Sequence, residues 1–319
     1  MLYSILKIYA RLAIKIYCRD VRIKNKALLN TKGPLLISMN HPNSFLDAVI
    51  IATVFKYPVF SLARGDVFGS KLVSIALKAL NIMPVYRITE GAANIEHNFK
   101  TFDACKEIFK KNGTVLIFCE GYCVNEWHLR PLKKGPARLL IQAWENNIPL
   151  KAMPVGINYD AFASFGKNVQ LNIGEPLSKE NTALADTHGK NISRIKENLT
   201  AAMQELVLEI KEDDIETRRA LFNTKLPLVK KILLCIPALA GFILHFPLFF
   251  LVKKIVKKSN IHNAHFDSMM VGCLMVTYPV YLLLFAIIAY LALGGWLWMS
   301  VFVLLPFFAW SCVQLKPQV

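Results

Sequence analysis

Acidic residues are the scarce component of this sequence. Across 319 residues, 22 Asp and Glu stand against 38 Lys and Arg, a formal net charge of +16. Charge of either sign is thin, at 19% of residues, where an ordinary soluble domain has roughly a quarter. With 54% hydrophobic residues and a mean hydropathy of +0.38, the composition excludes a disordered or wholly soluble chain. Seven cysteines are too few for a disulfide framework in a chain this long, and Cys18, Cys235, Cys273 and Cys312 lie in apolar surroundings, as small core or lipid-facing residues in a reducing compartment do. Cys119 with Cys123, and His262 with His265, have metal-pair spacings but no convincing partner set, so no metal site is expected. Helix-turn-helix, zinc-finger and RNA-binding signatures are missing. The basic balance therefore points to an anionic membrane surface as partner and away from nucleic acid.

The last 92 residues are the most depleted in charge. Residues 228–319 hold seven Lys or Arg and a single acid, Asp267. Ile232–Val252 is an uncharged run of 21 residues and Ser268–Leu315 one of 48, the second long enough for two spans of about 20 residues each. Gly294-Gly295 is the natural hairpin point. Lysines flank the first run on both sides (Lys225, Lys230, Lys231; Lys253, Lys254, Lys257, Lys258), which pulls both ends to the cytoplasm. Pro237, His245 and Pro247 interrupt that run, so a re-entrant segment is expected there.

At the other end, Lys7, Arg11, Lys15 and Arg19 interrupt any apolar stretch long enough for a signal peptide. On a helix they drift around one face and leave Tyr3, Leu6, Ala10, Ile14 and Tyr17 on the other. This is the pattern of a basic helix lying in the membrane interface, or of an ordinary amphipathic helix packed on its domain.

Between these ends, short apolar runs alternate with helical patterns. Pro34–Met39, Pro58–Leu62, Ile82–Tyr86, Thr114–Phe118 and Ile148–Ile157 read as strands, and Phe45–Phe55, Gly69–Leu80, Ala92–Lys111 and Gly135–Asn146 as helices. Lys179–Arg219 reads as a longer charged helical region. The alternation predicts an α/β fold on a mostly parallel sheet flanked by helices, followed by a C-terminal all-α membrane region. The boundaries are 1–24 for the basic helix, 25–227 for the α/β domain and 228–319 for a membrane region of two or three helical segments.

Chemistry concentrates at the strand ends. Ser38-Met39-Asn40-His41-Pro42-Asn43-Ser44-Phe45-Leu46-Asp47 leads from a strand through a polar turn into a helix, with a carboxylate close after a histidine. Such a carboxylate fixes the ring's tautomer and stabilises the imidazolium formed when the other nitrogen takes a hydroxyl proton. Taken alone, the pair reads as a helix cap or a structural His–Asp contact. Three further clusters favour chemistry: Asn81–Arg87, ending in Arg87; Cys119-Glu120-Gly121 with the basic turn Arg130-Pro131-Leu132-Lys133; and Met153-Pro154-Val155-Gly156. Ends of strands in open α/β sheets form the ligand crevice. Arg64, in Ala63-Arg64-Gly65-Asp66, is either a further anion site or the partner of Asp66.

In order and spacing the four clusters resemble the motif blocks of the glycerophospholipid acyltransferase family, the group that includes glycerol-3-phosphate and 1-acylglycerol-3-phosphate acyltransferases. The resemblance spans about Leu35 to Gly174. It implies that His41 is a general base, Asp47 its orienter and Arg87 the ligand of the acceptor's phosphate. It further implies that Glu120 and Gly121 shape the acceptor site, that Lys133 fills the basic position after them, and that Pro154 belongs to an apolar wall. Two departures stand out. Five residues, Pro42 through Leu46, separate His41 from Asp47 where the family usually has four, a spacing similar to that of fungal-type glycerol-3-phosphate acyltransferases. The arginine usual after the Glu120 block is absent, so either Arg130 or Lys133 supplies its charge or the acceptor's head group is not a simple phosphate.

The function these features imply is transfer of a fatty acyl group from acyl-CoA or acyl-carrier protein, as co-substrate without further cofactor, to glycerol 3-phosphate or its 1-acyl derivative. The expected partners are membrane lipids, the acyl donor and an anionic glycerolipid acceptor, with the catalytic domain on the cytoplasmic side of an integral membrane protein. The alternatives are a lyso-aminolipid acceptor, or a non-catalytic lipid-binding or transport protein.

Overall fold

The computed structural model describes residues 2–85, 92–184, 187–259 and 263–317. Seven strands form one sheet: β1 (Cys18–Lys24), β2 (Leu35–Met39), β3 (Val59–Arg64), β4 (Ile82–Val85), β5 (Thr114–Phe118), β6 (Lys151–Tyr159) and β7 (Lys167–Ile173), in the spatial order β1-β7-β6-β2-β5-β3-β4. Every neighbouring pair is parallel except β6 with β7. The mostly parallel sheet is as the alternation predicts. β2 through β6 therefore end on one side, where β2, wholly buried and paired with both β5 and β6, delivers the His41 turn.

Side chains alternate across the sheet and build two cores. Leu35, Ile37 and Met39 face α1 (Leu2–Tyr17) and α2 (Ser44–Val54), while Leu36, Val115 and Ala152 face α4 (Ala92–Lys110), α5 (Gly135–Glu145) and α6 (His188–Gln204). Two shorter helices, α3 (Lys71–Ala79) and α7 (Ile215–Phe222), complete the domain. The charged region at 179–219 is thus two helices, not one. Five strands were legible as apolar runs; β1 and β7 were not.

The N-terminal helix is shorter than 24 residues. It stops at Tyr17 because Cys18–Lys24 has a period of two, with Val21 and Ile23 alternating with charges, and pairs along β7. Its cations also differ from expectation. Lys7 donates to the Phe55 carbonyl at 2.5 Å and Arg11 to that of Thr53 at 2.7 Å, so both complement the C-terminus of α2. The face left open is apolar, with Ile5, Ile8 and Leu12 each more than half exposed.

Beyond the domain lie α8 (Leu228–Lys258), α9 (Phe266–Leu293) and α10 (Val301–Leu315), the last preceded by a 3₁₀ turn at Leu297–Ser300. With that turn included, all three are long and apolar enough to cross a membrane. Gly294 and Gly295, both left-handed at φ 64° and 57°, make the expected hairpin. The re-entrant reading of the first run is corrected: α8 continues through Pro237 and Pro247 for 31 residues, about 46 Å at 1.5 Å per residue. The lysines at its two ends accordingly lie at opposite ends of one rod.

α8 and α10 touch backbone to backbone at Gly241, where a Cβ would sit 2.6 Å from the Phe308 carbonyl carbon. Small residues permit such approach between apolar helices. Gly241→Ala is expected to lower stability by about 1–3 kcal/mol through overpacking, read as the unfolding midpoint in detergent; an unchanged midpoint would refute the close contact.

Candidate active site

The turn after β2 is held at nearly every polar group. The Asn40 amide continues the ladder to β6, donating to the Ile157 carbonyl at 3.0 Å and accepting from its N–H at 2.8 Å. The His41 N–H donates to Glu120 Oε2 at 3.0 Å, and the His41 and Pro42 carbonyls accept from the Val124 N–H and the Asn125 amide. Ser44 then takes a left-handed conformation, φ 51°. For a residue with a side chain this is a strained choice that its surroundings must enforce. Here it turns the chain into α2 so that, despite five intervening residues, His41 Nδ1 lies 2.9 Å from Asp47 Oδ2.

Asp47 is fully buried. Oδ2 also accepts the Asn43 N–H at 2.8 Å, and Oδ1 accepts the Tyr159 hydroxyl at 2.6 Å. Burial, reinforced by the Asp47 charge, pushes the Tyr159 hydroxyl well up, which keeps it a donor. A carboxylate accepts and does not donate, so the contact puts a proton on Nδ1; in the neutral ring the lone pair is then on Nε2. The His41 ring stacks on Phe118 with centroids 3.5 Å apart and planes 16° from parallel, and its side chain is 16% exposed. One nitrogen is thus locked and the other has no protein hydrogen-bond partner among the described residues.

Glu120 is also buried, and both its oxygens are committed to backbone: Oε2 to His41, Oε1 to the Arg130 N–H at 3.0 Å. Burial raises its carboxyl, an effect these two N–H groups oppose. It is a strut between the His41 turn and the basic turn. Gly121 is left-handed at φ 77°, and the Lys133 stem lies against it, 3.1 Å from where a Cβ would be. The Arg130 guanidinium covers the Tyr122 ring at 3.8 Å, with Lys133 Nζ 5.8 Å from the same ring. Arg130 Nη1 has no hydrogen-bond partner among the described residues.

The structure therefore brings His41, Asp47, Glu120, Gly121, Arg130 and Lys133 together around the ends of β2 and β5. It does not bring in Arg64 or Pro154. Arg64 closes on Asp66, through Nε at 3.0 Å and through Nη2, and holds that carboxyl below its usual value. Pro154 lies in β6 on the sheet face opposite α2, its ring 2.9 Å from where a Gly174 Cβ would be. Arg87 falls outside the described residues. Sequence reading missed Tyr159, in phase with the apolar β6 positions; Phe118, the last strand residue before the Cys119-Glu120-Gly121 block; and Asn43, inside the His41 turn itself.

Fold and site define an oriented imidazole at the carboxyl end of a central parallel strand, tied through Glu120 to the turn that carries Arg130 and Lys133. Residues 20–158, under half of the chain, match the family model described as Acyltransferase, which supports an enzyme of acyltransferase type. No curated protein matches the chain. Among solved structures it is similar to the 1-acyl-sn-glycerophosphate (LPA) acyltransferase PlsC from Thermotoga maritima, at 14% identity and a TM-score of 0.43, covering 64% of this chain and 79% of that one.

Tyr159→Phe strands one oxygen of the buried Asp47, and a loss of about 1–3 kcal/mol is expected, measured by denaturant unfolding. Glu120→Gln places an amide NH2 against one of two backbone donors and is expected to cost a similar amount. Wild-type stability in both variants would refute the hydrogen-bond assignments.

Proposed function

We propose that this protein is a membrane-bound O-acyltransferase that moves a fatty acyl group from acyl-CoA or acyl-carrier protein to a hydroxyl of glycerol 3-phosphate or 1-acylglycerol 3-phosphate. The observation that carries the reading is the His41–Asp47 pair, locked at Nδ1 and available at Nε2. Nε2 takes the proton of the acceptor hydroxyl as its oxygen attacks the thioester carbonyl. Asp47 stabilises the imidazolium. As the tetrahedral intermediate collapses, the C–S bond breaks and the imidazolium returns its proton to the leaving thiolate, giving an ester and a free thiol. No acyl-enzyme is needed.

The cations beside the crevice support an anionic acceptor. Lys133, and Arg130 through the Nη1 left over from its contacts with Glu126 and Tyr122, are the candidates to supply the charge of the missing family arginine, and the resemblance adds Arg87. The lysines of α8 support a cytoplasmic domain: four, Lys253, Lys254, Lys257 and Lys258, precede the segment whose His265 reaches Ser44 in the His41 turn, against three, Lys225, Lys230 and Lys231, at the other end. The positive-inside rule favours the larger cluster.

The test is acyl transfer by detergent-purified protein with labelled acyl-CoA or acyl-carrier protein, offering glycerol 3-phosphate, 1-acylglycerol 3-phosphate and a lyso-aminolipid in parallel. His41→Ala is expected to lose about 10²–10⁴-fold in turnover while keeping its fold. Arg130→Ala with Lys133→Ala is expected to raise KM for a phosphate acceptor and leave kcat nearly unchanged. Turnover on the lyso-aminolipid alone would move the acceptor assignment, and silence with every acceptor and donor would overturn the reading.

A further inference from the structure

Where α9 begins, His265, Asp267 and Ser268 contact the His41 turn directly and Ala264 reaches it through Cys123. The Ala264 carbonyl accepts from the Cys123 thiol, whose sulfur in turn accepts the Ser44 N–H at 2.9 Å. His265 Nδ1 lies 2.7 Å from Ser44 Oγ. Ser268 Oγ donates to the Asn43 carbonyl at 3.0 Å and accepts the Leu46 N–H at 3.1 Å. That N–H is one of the orphan donors in the first turn of α2, whose own N-cap, Asn43, makes no side-chain cap. A membrane helix thus caps the catalytic helix in trans.

Asp267 is the anchor of this contact. It is 0% exposed and sits in the first turn of α9, where the helix dipole favours an anion. Its Oδ1 accepts the Tyr17 hydroxyl at 2.6 Å. Its Oδ2 accepts the Asn43 amide at 2.9 Å and the N–H of left-handed Ala163 at 3.0 Å, and pairs with the fully buried Lys167. Asn43 is therefore gripped from both sides, its backbone N–H by Asp47 and its side chain by Asp267.

We propose that Asp267 and Ser268 are positioning residues for acyl transfer: from the head of a membrane helix they hold Asn43, Ser44 and Leu46 in the conformation that brings Asp47 onto His41. Hydrophobic packing alone accounts for neither residue. A buried ion pair adds little net stability over apolar side chains of the same volume, and a serine at a core position adds no apolar area. Both are explained by where their bonds go. The bonds end on the backbone and amide of the turn whose shape sets the His41–Asp47 distance, and the left-handed Ser44 there needs external enforcement. The proposal rests on the acyl-transfer reading for its kinetic consequence, but not for its structural one.

The experiment uses full-length protein in detergent and two readouts. The first is kcat and KM. The second needs no turnover: the NMR signal of the His41 Nδ1–H bonded to Asp47, in protein labelled with ¹⁵N-histidine and assigned by its loss in Asp47→Asn. Ser268→Ala and Asp267→Asn are expected to lower kcat by about 10- to 100-fold with KM nearly unchanged, as misplacement of a catalytic group does. Both should weaken the Nδ1–H signal, and Ser268→Thr, which keeps the hydroxyl, should restore both readouts. Ser268→Ala removes no charge, so it reports even where Asp267→Asn fails to fold. An intact signal and wild-type kcat in Ser268→Ala would overturn the proposal, as would losses that track the folded fraction alone. If the wild type transfers no acyl group, the reaction assignment fails while the NMR arm still decides whether α9 positions the pair.

Discussion

A carboxylate removed completely from water must find donors for its oxygens, and Asp47 organises this protein by that demand. Isolated in an apolar interior it would cost several kcal/mol; instead a ring nitrogen, a backbone N–H and a tyrosine hydroxyl converge on it. Each donor comes from a different place: the turn after β2, the first residue before α2, and the end of β6. The three can meet only if β2 lies beside β6 in the observed register and α2 starts where it does. Asp47 thus ties sheet order, helix start and imidazole tautomer into one condition. The nearly complete pairing of the His41 turn follows from it, because slack at Asn40, His41 or the Asn43 N–H would leave a buried charge unsatisfied.

The membrane region shares in the same condition. Leu248, Val252 and Val256 of α8 and Met270 and Val271 of α9 belong to the same core cluster as Leu35, Ile37 and Met39 of β2. The face of the sheet that carries the His41 turn is therefore completed by helices that elsewhere present apolar side chains outward, such as Ile236 and Val276. The α/β portion is not a soluble domain tethered to a membrane anchor. One of its two core layers is built from the helices suited to lipid, and the exposed apolar face of α1, Ile5, Ile8 and Leu12, lies beside them.

The sequence disclosed what apolar patterning and local order can carry. β2, β5 and the core of β6 stand out because a strand buried on both faces needs an unbroken apolar run, and the four chemical clusters stand out because they punctuate those runs at their ends. β7 is invisible by the same criterion. Lys167, Asn168, Gln170 and Asn172 read as a surface segment, yet all four are buried. Their polar groups are satisfied by one another, by Asp160, by Asp267 and by the Leu206 carbonyl. β1 is hidden likewise, since Arg19 and Arg22 spend their charge on backbone carbonyls far along the chain. Of the candidate site, the His41–Asp47 pair and the Glu120 to Lys133 cluster were legible. What Glu120 does was not, because its partners are backbone amides that leave no mark on residue type. Asp267 left one mark: it is the single acid among ninety-two residues.

Apolar helices pack without strong directional preference, because burial rewards area and not orientation. A helix such as α9, apolar almost all round, is able to rotate or slide against its neighbours at little cost. Hydrogen bonds remove that freedom: those of Asp267 and Ser268 at its buried N-terminal end set the rotation of α9 and its depth relative to the sheet, with Met275, Tyr278 and Tyr281 bonded farther along. In the opposite direction, the same bonds hand the catalytic turn a reference point outside its own short loop. Polar groups concentrated at one end of an apolar rod are thus the economical way to register a membrane segment against a domain whose central turn tolerates no slack. Buried ionic contacts occur here where two otherwise non-directional surfaces must meet in a single alignment.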